Sequence, residues 1–249
     1  MARAVVRIRA VLFDLGGTLV DECDFAGWAE LARAVSLDLL PDDLAHAYAQ
    51  VEEEVDRTPG APAADNETLV AGYWSRLLSV ASGRTVGPEI AARFVDARRA
   101  SEREGSLPLY SDVRRCLDRL QAQRRRLGIV SNSSSEARVR RILDQAGILG
   151  YFERVVSSGS EGVRKPDPEI FRRAVDRLGV RPEEALYVGN LPQTDAKGAE
   201  AAGLHGVWLH RDGTGLGTDP PEITSLLEVP GVVRQIERGA GLGGPLAVK

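Results

Sequence analysis

The feature that most constrains the fold of this 249-residue chain is a series of short apolar runs, each ending at a polar or glycine-bearing residue. The runs are residues 10–14, 126–133, 185–190 and 206–210, with a weaker one at 154–159. Stretches of helical periodicity separate them, at 112–124, 135–147, 168–178 and 194–202. Alternating strands and helices are typical of a parallel sheet covered on both faces. We therefore predict a Rossmann-like α/β core with three layers, α/β/α.

Residues 22–107 break this alternation, because they contain helical patterns and no comparable apolar run. The patterns cover residues 25–36, 42–56, 67–82 and 88–104. We predict a helical domain inserted after the first strand, which leaves a core of residues 1–21 and 108–212. Residues 213–249 form a Gly- and Pro-rich C-terminal extension, with a short helix predicted near 221–228 and an end that lacks fixed structure.

Composition narrows the class of protein. The net charge of −4 offers no broad basic surface, which argues against nucleic acid as a partner. No stretch approaches the roughly 20 apolar residues that cross a bilayer, so no membrane partner is expected. Two cysteines are too few for a disulfide framework and fit a cytoplasmic location. The sequence is compatible with a monomer or a homodimer.

Polar groups lie at or beside the carboxyl ends of the predicted strands, where parallel α/β sheets bind ligands. Each could be an ordinary cap or turn residue. Together they supply carboxylates, a hydroxyl, backbone donors and a fixed cation, which suits phosphoryl transfer assisted by Mg²⁺. These groups are Asp14 with the Gly16-Gly17-Thr18 turn, Ser131-Asn132, Lys165, and Asn190 with Asp195.

Four segments resemble the motifs of the haloacid dehalogenase (HAD) superfamily. They are "FDLGGTL", "VSNS", "RKPDPEIF" and "YVGNLPQTDAKGAEAAG", and the resemblance spans residues 8 to about 211. It implies a hydrolase, most simply a Mg²⁺-dependent phosphatase that acts on a small phosphorylated metabolite. The insertion at 22–107 resembles the helical first-type cap domain of that superfamily, which implies that substrate choice resides there.

The resemblance also implies a role for each matching residue. Asp14 would be the nucleophile that forms an aspartyl-phosphate, and Lys165 would hold its charge and that of the phosphate. Ser131, the backbone around Asn132, and Thr18 in the turn after the nucleophile would serve the phosphoryl group. The implied Mg²⁺ ligands are Asp14, the backbone carbonyl of Gly16, Asn190 and Asp195.

Two positions depart from the phosphatase pattern. Gly16 stands where a second Asp normally acts as general acid and base, a contribution of typically ~10²–10⁴ in rate. Asn190 replaces an acidic residue and brings an oxygen without charge, so weaker metal binding is expected.

These departures leave alternatives open. One is a non-catalytic binding or regulatory relative. Another is a dehalogenase-like hydrolase, although Gly16 does not match the Tyr of that group and the spacing from Asn190 to Asp195 follows the phosphatases. Some relatives cleave phosphonates and need a lysine in the cap for this reaction. The only lysines here are Lys165, Lys197 and Lys249, all outside residues 22–107, so phosphonate cleavage is excluded.

Overall fold

The computed structural model describes residues 6–57, 66–105, 107–133, 135–213 and 219–239. The chain divides into two compact units, one of Met1–Asp21 with Pro108–Lys249 and one of Glu22–Leu107. The first unit carries a sheet between helices, and the described part of the second is helical. Among the described residues, no helix combines the length and apolar character that a membrane span requires.

A six-stranded sheet in the order β3-β2-β1-β4-β5-β6 forms the centre of the first unit, with every neighbouring pair parallel. The chain builds outward from β1 to β3 and then returns to place β4 on the other side of β1. The reversal makes the carboxyl ends of β1 and β4 the topological switch point, where open α/β sheets bind ligands. The strands are β1 Ala10–Phe13, β2 Arg126–Ser131, β3 Arg154–Ser157, β4 Ala185–Gly189, β5 His205–Leu209 and β6 Glu222–Ile223.

Helices cover this sheet and bury its apolar strands. All four residues of β1 are fully buried, as expected for a central parallel strand. Phe171 on α8 meets Tyr187 on β4 edge to face, with ring centroids 4.9 Å apart. The predicted α/β core is confirmed. Its helices are α5 Val113–Ala122, α6 Glu136–Gln145, α7 Ser158–Glu161, α8 Pro168–Arg177, α9 Gly198–Ala201 and α10 Val229–Glu237.

The predicted limits of α8 follow from local chemistry. The side chain of Asp167 accepts a hydrogen bond from the Glu169 amide at 2.9 Å and caps the helix, whose first residue is Pro168. Gly179 follows the helix with a φ of +60°, a left-handed conformation that glycine adopts without steric cost. Both ends were readable from sequence, because capping depends on neighbouring residues.

The helix predicted over residues 221–228 is wrong. That segment contains β6, which pairs with β5, and a 3-10 turn at Leu226–Glu228, and α10 follows it. A two-residue strand is too short to show an alternating pattern, so its pairing with β5 could not be read from sequence. The predicted lack of structure at the chain end concerns residues 240–249, which lie outside the described residues.

The second unit consists of helices packed around aromatic and aliphatic side chains. Trp28 and Trp74 meet edge to face at 5.0 Å, and Phe94 lies 5.1 Å from Trp74. These rings and leucines such as Leu44 and Leu77 are buried in a core of the unit's own. The helices are α1 Phe25–Ala34, α2 Pro41–Arg57, α3 Asn66–Ser82 and α4 Pro88–Glu104, close to the predicted stretches.

Packing of β5 against the turn before α9 gives a stability prediction. A Cβ at Gly206 would lie 2.1 Å from the carbonyl oxygen of Ala196, a backbone atom that cannot move aside cheaply. Gly206→Ala is therefore expected to lower the free energy of unfolding by about 1–3 kcal/mol in urea denaturation. Gly150→Ala, with no atom within 4 Å, is the control and should change it by less than about 0.5 kcal/mol. Equal effects of the two variants would contradict this packing.

Candidate active site

The candidate site lies at the carboxyl ends of β1 and β4. Asp14 directly follows β1, and its amide donates to the carbonyl of Val188 on β4 at 3.0 Å. Asp14 is only 8% exposed. Asn190 follows β4 in the same way. The switch point of the sheet therefore brings these two predicted residues to neighbouring strand ends.

Lys165 joins the carboxylates of this site. Its Nζ donates to Asp14 Oδ1 at 2.6 Å, to Asp195 Oδ1 at 2.6 Å and to the hydroxyl of Tyr187 at 2.9 Å. An ammonium group has three hydrogens, so these acceptors use all of them. Lys165 is only 3% exposed, and this complete bonding is what makes the burial of its charge tolerable.

Asn132 holds the backbone of Lys165. Its side-chain Oδ1 accepts from the Lys165 amide at 2.8 Å, and its Nδ2 donates to the Lys165 carbonyl at 3.0 Å. The loop that precedes α8 is thus tied to the end of β2. The sequence predicted a role for the backbone near Asn132 in phosphate binding, but it did not predict this side-chain contact.

Asp195 lies in a π-helical turn, Pro192–Lys197, where the sequence had predicted regular helix. Its Oδ1 serves Lys165, and its Oδ2 accepts from the Leu191 amide at 3.0 Å. A Cβ at Gly189 would lie 2.3 Å from the Asp195 carboxyl, so this close approach requires glycine there. Single π turns often occur at functional sites, since they re-aim one side chain.

Tyr187 is a member of this cluster that the sequence analysis missed. Its hydroxyl accepts from Lys165, lies 2.9 Å from the Val130 carbonyl to which it donates, and lies 3.2 Å from Asp195 Oδ1. The available signal was a tyrosine inside the apolar run "ALYVGN", because a buried phenol needs a hydrogen-bond partner. The contacts of Tyr187 connect β2, β4 and Lys165.

The charges of the cluster leave an excess of one negative charge when both carboxylates are ionised. Burial raises the pKa of Asp14 to about 7, and the charge of Asp195 adds to the effect while Lys165 opposes it. Burial disfavours the charged form of Lys165, but Asp14 and Asp195 outweigh it and raise the pKa of the ammonium group. Burial and both carboxylates raise the pKa of Tyr187 well above its ordinary value. Lys165 is thus charged and Tyr187 neutral at physiological pH.

The second oxygen of Asp14 and the side-chain oxygen of Asn190 both lie near the Thr18 hydroxyl. The Thr18 hydroxyl lies 3.4 Å from Asp14 Oδ2 and 3.4 Å from Asn190 Oδ1. Gly17 lets Asn190 come close, since its φ is +71° and a Cβ there would lie 2.5 Å from Asn190 Nδ2. An anionic and a neutral oxygen therefore converge beside one hydroxyl.

This oxygen-only donor set fits Mg²⁺, which prefers carboxylate and carbonyl ligands and keeps several waters. Lys165 supplies one positive charge to the two carboxylates of Asp14 and Asp195, so one negative charge is left for a cation to balance when both are ionised. The described residues contain no group of three or more His, Cys, Asp or Glu side chains suited to a metal, and Gly16 and Asn190 carry no carboxylate. Asp195 Oδ1 accepts from Lys165 and Tyr187, whereas Oδ2 accepts only from the Leu191 amide, which leaves a lone pair of Oδ2 for a metal ion.

Ser131 supplies an unused hydroxyl at the end of β2. The residue is 7% exposed, and its Oγ makes no hydrogen bond to any part of the chain that the structure describes. Such a hydroxyl can form a hydrogen bond with a ligand or with water. Ser131 is therefore available to bind a group placed at the strand ends.

The fold and this lysine–carboxylate cluster are those of a hydrolase with a Rossmann-like α/β core, the class of protein that the sequence motifs suggest. Residues 8–203 match the family of haloacid dehalogenase-like hydrolases, and the chain belongs to that family.

Similar proteins include phosphatases with different substrates. Phosphoserine phosphatase of Thermus thermophilus is 34% identical over 59% of this chain, which spans 55% of the length of that relative. Ribulose-1,5-bisphosphate 5-phosphatase of Halopiger xanaduensis is 32% identical over 80% of this chain and 83% of its own. The structure of the HAD hydrolase YfnB from Bacillus subtilis, solved bound to magnesium, covers 92% of this chain and 99% of its own with a TM-score of 0.70 and 24% identity. The chain is thus a hydrolase with phosphatase homologues.

The environment of Asp14 gives a prediction for stability against pH. Its folded-state pKa of about 7 exceeds the ordinary 3.8, so its carboxylate destabilises the fold increasingly as pH rises through that interval. Without metal, Asp14→Asn is therefore expected to be more stable than wild type at pH 8. The upper limit is about 4 kcal/mol, from about 1.4 kcal/mol per pKa unit. The gain should shrink towards pH 4.

Urea denaturation in EDTA at several pH values measures this difference. Asp176→Asn is the control for the substitution itself, because Asp176 lies on the exposed face of α8 and outside this cluster. A loss of stability in Asp14→Asn at pH 8 would mean that Lys165 outweighs burial and the repulsion from Asp195.

Proposed function

We propose that this protein is a Mg²⁺-dependent phosphatase in which Asp14 attacks phosphorus and forms an aspartyl-phosphate. The observation that carries the proposal is the buried Lys165 ammonium, which contacts Asp14 and Asp195 at 2.6 Å each. It fixes one oxygen of Asp14 and leaves the other near the Thr18 hydroxyl, which also lies near Asn190. A nucleophile that is held rigidly and partly neutralised is what phosphoryl transfer needs.

In the first half-reaction, an Asp14 carboxylate oxygen forms a bond to phosphorus as the bond from phosphorus to the substrate oxygen breaks. The leaving oxygen takes the electron pair of that bond and a proton from solvent. In the second half-reaction, water attacks the same phosphorus and loses a proton. The bond between phosphorus and Asp14 then breaks, which releases inorganic phosphate and restores the carboxylate.

Three groups would bind the transferred phosphoryl group. The charge of Lys165 offsets the repulsion between the Asp14 carboxylate and the phosphate. The hydroxyl of Ser131 would donate to a phosphate oxygen, as would backbone amides near Asn132. The Asn132 side chain keeps Lys165 in place through its two hydrogen bonds to that residue's backbone.

Mg²⁺ would be held by Asp14, by the carbonyl of Gly16, by the amide oxygen of Asn190 and by Asp195. When bound, it would neutralise negative charge on the phosphoryl oxygens. Since Asn190 contributes no charge, we propose that metal affinity is weaker than it would be with an aspartate there. Asn190 keeps its position through its backbone, because its carbonyl accepts from Trp208 Nε1 at 3.0 Å.

Gly16 limits which substrates react quickly. Because Gly16 has no side chain, the position two residues after Asp14 offers no acid to the leaving group. We therefore propose acyl and aryl phosphates as the favoured substrates, because their leaving groups need little protonation.

Residues 22–107 would act as the cap that selects the substrate. Their helices have a separate aromatic core. In the chain they follow closely after residues 14–20, which are called the nucleophile turn because they begin with Asp14. Small phosphorylated metabolites are the proposed substrate class, in line with the names of the two sequence relatives, which specify a phosphorylated amino acid and a sugar bisphosphate.

Phosphate release from p-nitrophenyl phosphate and acetyl phosphate tests the nucleophile. Release should require Mg²⁺ and should fall at least about 10³-fold in Asp14→Asn, since the attacking oxygen is replaced by an amide. Asp176→Asn should retain full activity. Absence of release from folded wild type would reject the phosphatase and favour a binding module.

The leaving-group preference gives a second test. Rates on a series of aryl and alkyl phosphates should fall as leaving-group pKa rises. Gly16→Asp should raise the rate on alkyl phosphates by about 10²-fold, because it supplies the missing acid. Gly16→Asn is the matched control, with similar size and no exchangeable acid proton, and it should give no gain. Rates that do not depend on leaving-group pKa would contradict the proposal.

The backbone of this turn does not forbid the substitution. The left-handed glycine of the turn is Gly17, with a φ of +71°, and not Gly16. Loss of fold in Gly16→Asp but not in Gly16→Asn would point to repulsion from Asp14.

A further inference from the structure

We infer that Arg211 is a positioning residue for the nucleophile turn, acting through the backbone carbonyl of Thr18. The inference rests on the proposed function, since it concerns how Asp14 is held for attack. Arg211 lies just beyond β5 and outside the residues that match the family, 8–203.

The contact with the turn is direct. Arg211 Nη2 donates to the carbonyl oxygen of Thr18 at 2.7 Å. Thr18 is fully buried, and a buried carbonyl needs a hydrogen-bond donor. The side chain of the same residue lies between Asp14 Oδ2 and Asn190 Oδ1. Movement of the Thr18 backbone would therefore change the surroundings of the nucleophile.

Besides the Thr18 carbonyl, two side chains contact the guanidinium group of Arg211. Its Nη1 and Nη2 bind the two oxygens of Asp112 at 3.0 and 3.2 Å, a bidentate arrangement that fixes the guanidinium plane. The guanidinium carbon lies 3.8 Å from the centre of the Tyr110 ring. The Tyr110 amide donates to the carbonyl of Leu19 at 3.2 Å, so this ring is attached to the same turn.

Asp112 connects Arg211 to the C-terminal segment. Its Oδ2 also accepts from the Ser225 hydroxyl at 2.8 Å and from the Leu226 amide at 2.9 Å. Burial raises the pKa of this carboxyl, but the hydrogen bonds from Arg211, Ser225 and Leu226 outweigh it and lower the pKa. The carboxylate is thus ionised and fully committed to this network, although Asp112 precedes α5 and could have capped it.

A second arginine provides a matched control at the opposite end of β1. Arg125 binds Glu237 in the C-terminal helix at 2.7 and 3.1 Å and also donates to the carbonyl of Ile8. It therefore repeats the arrangement of Arg211: a carboxylate partner, and a backbone carbonyl beside β1. Ile8 precedes β1, however, whereas Asp14 and Thr18 follow it.

The experiment compares Arg211→Met with Arg125→Met. Both variants should lower the thermal midpoint. Only Arg211→Met should lower kcat, by about 10- to 100-fold, with KM within about threefold of wild type, at a temperature where both variants remain folded. Arg211→Lys should recover part of kcat, because one ammonium can still reach the Thr18 carbonyl. Equal kcat in the two methionine variants would overturn the inference.

Hydrogen exchange over residues 14–20 separates failure of this inference from failure of the proposed function. Faster exchange there in Arg211→Met, but not in Arg125→Met, would support the role of Arg211 in holding the turn. This result would stand even if wild type released no phosphate, because absence of release rejects only the phosphatase. Faster exchange with unchanged kcat in an active enzyme would overturn the inference. Should Arg211→Met not fold, Asp112→Asn is the milder variant, with an expected loss in kcat of about 3- to 10-fold.

Discussion

The contact on which the site depends is the buried ammonium of Lys165 between the carboxylates of Asp14 and Asp195. Either carboxylate without the lysine would be a buried charge with no counter-charge, at a cost of several kcal/mol. The three residues come from different parts of the chain: the end of β1, the loop before α8 and the π turn after β4. Their attraction therefore fixes the geometry of the strand ends as well as the chemistry.

The residues around Lys165 hold its ammonium group and its backbone in place. Tyr187 takes the third ammonium hydrogen and Asn132 holds the lysine backbone, so the charge has a single defined position. Gly189 has no side chain, which leaves space for the Asp195 carboxyl. Glycine and polar side chains are thus used here for close approach and for complete hydrogen bonding, two requirements of any buried charge.

The same site shows how function limits stability. Burial raises the pKa of Asp14 to about 7, so the carboxylate that would attack phosphorus is also destabilising in the absence of a cation. The donor set of Asp14 and Asn190 carries one negative charge where a second acid would give two.

The sequence by itself determined the α/β core, the helical insertion, the caps of α8 and most of the residues that gather around Asp14. These features follow from periodicity, from capping by adjacent residues and from motifs at strand ends, all of which are local in the chain. Only the tertiary structure decided the roles of Tyr187, β6 and Arg211, because each depends on partners far away in sequence. Tyr187 meets Lys165, β6 pairs with β5, and Arg211 reaches Thr18 across almost the whole chain. Such contacts are selected by the geometry of the folded sheet, which no local pattern encodes.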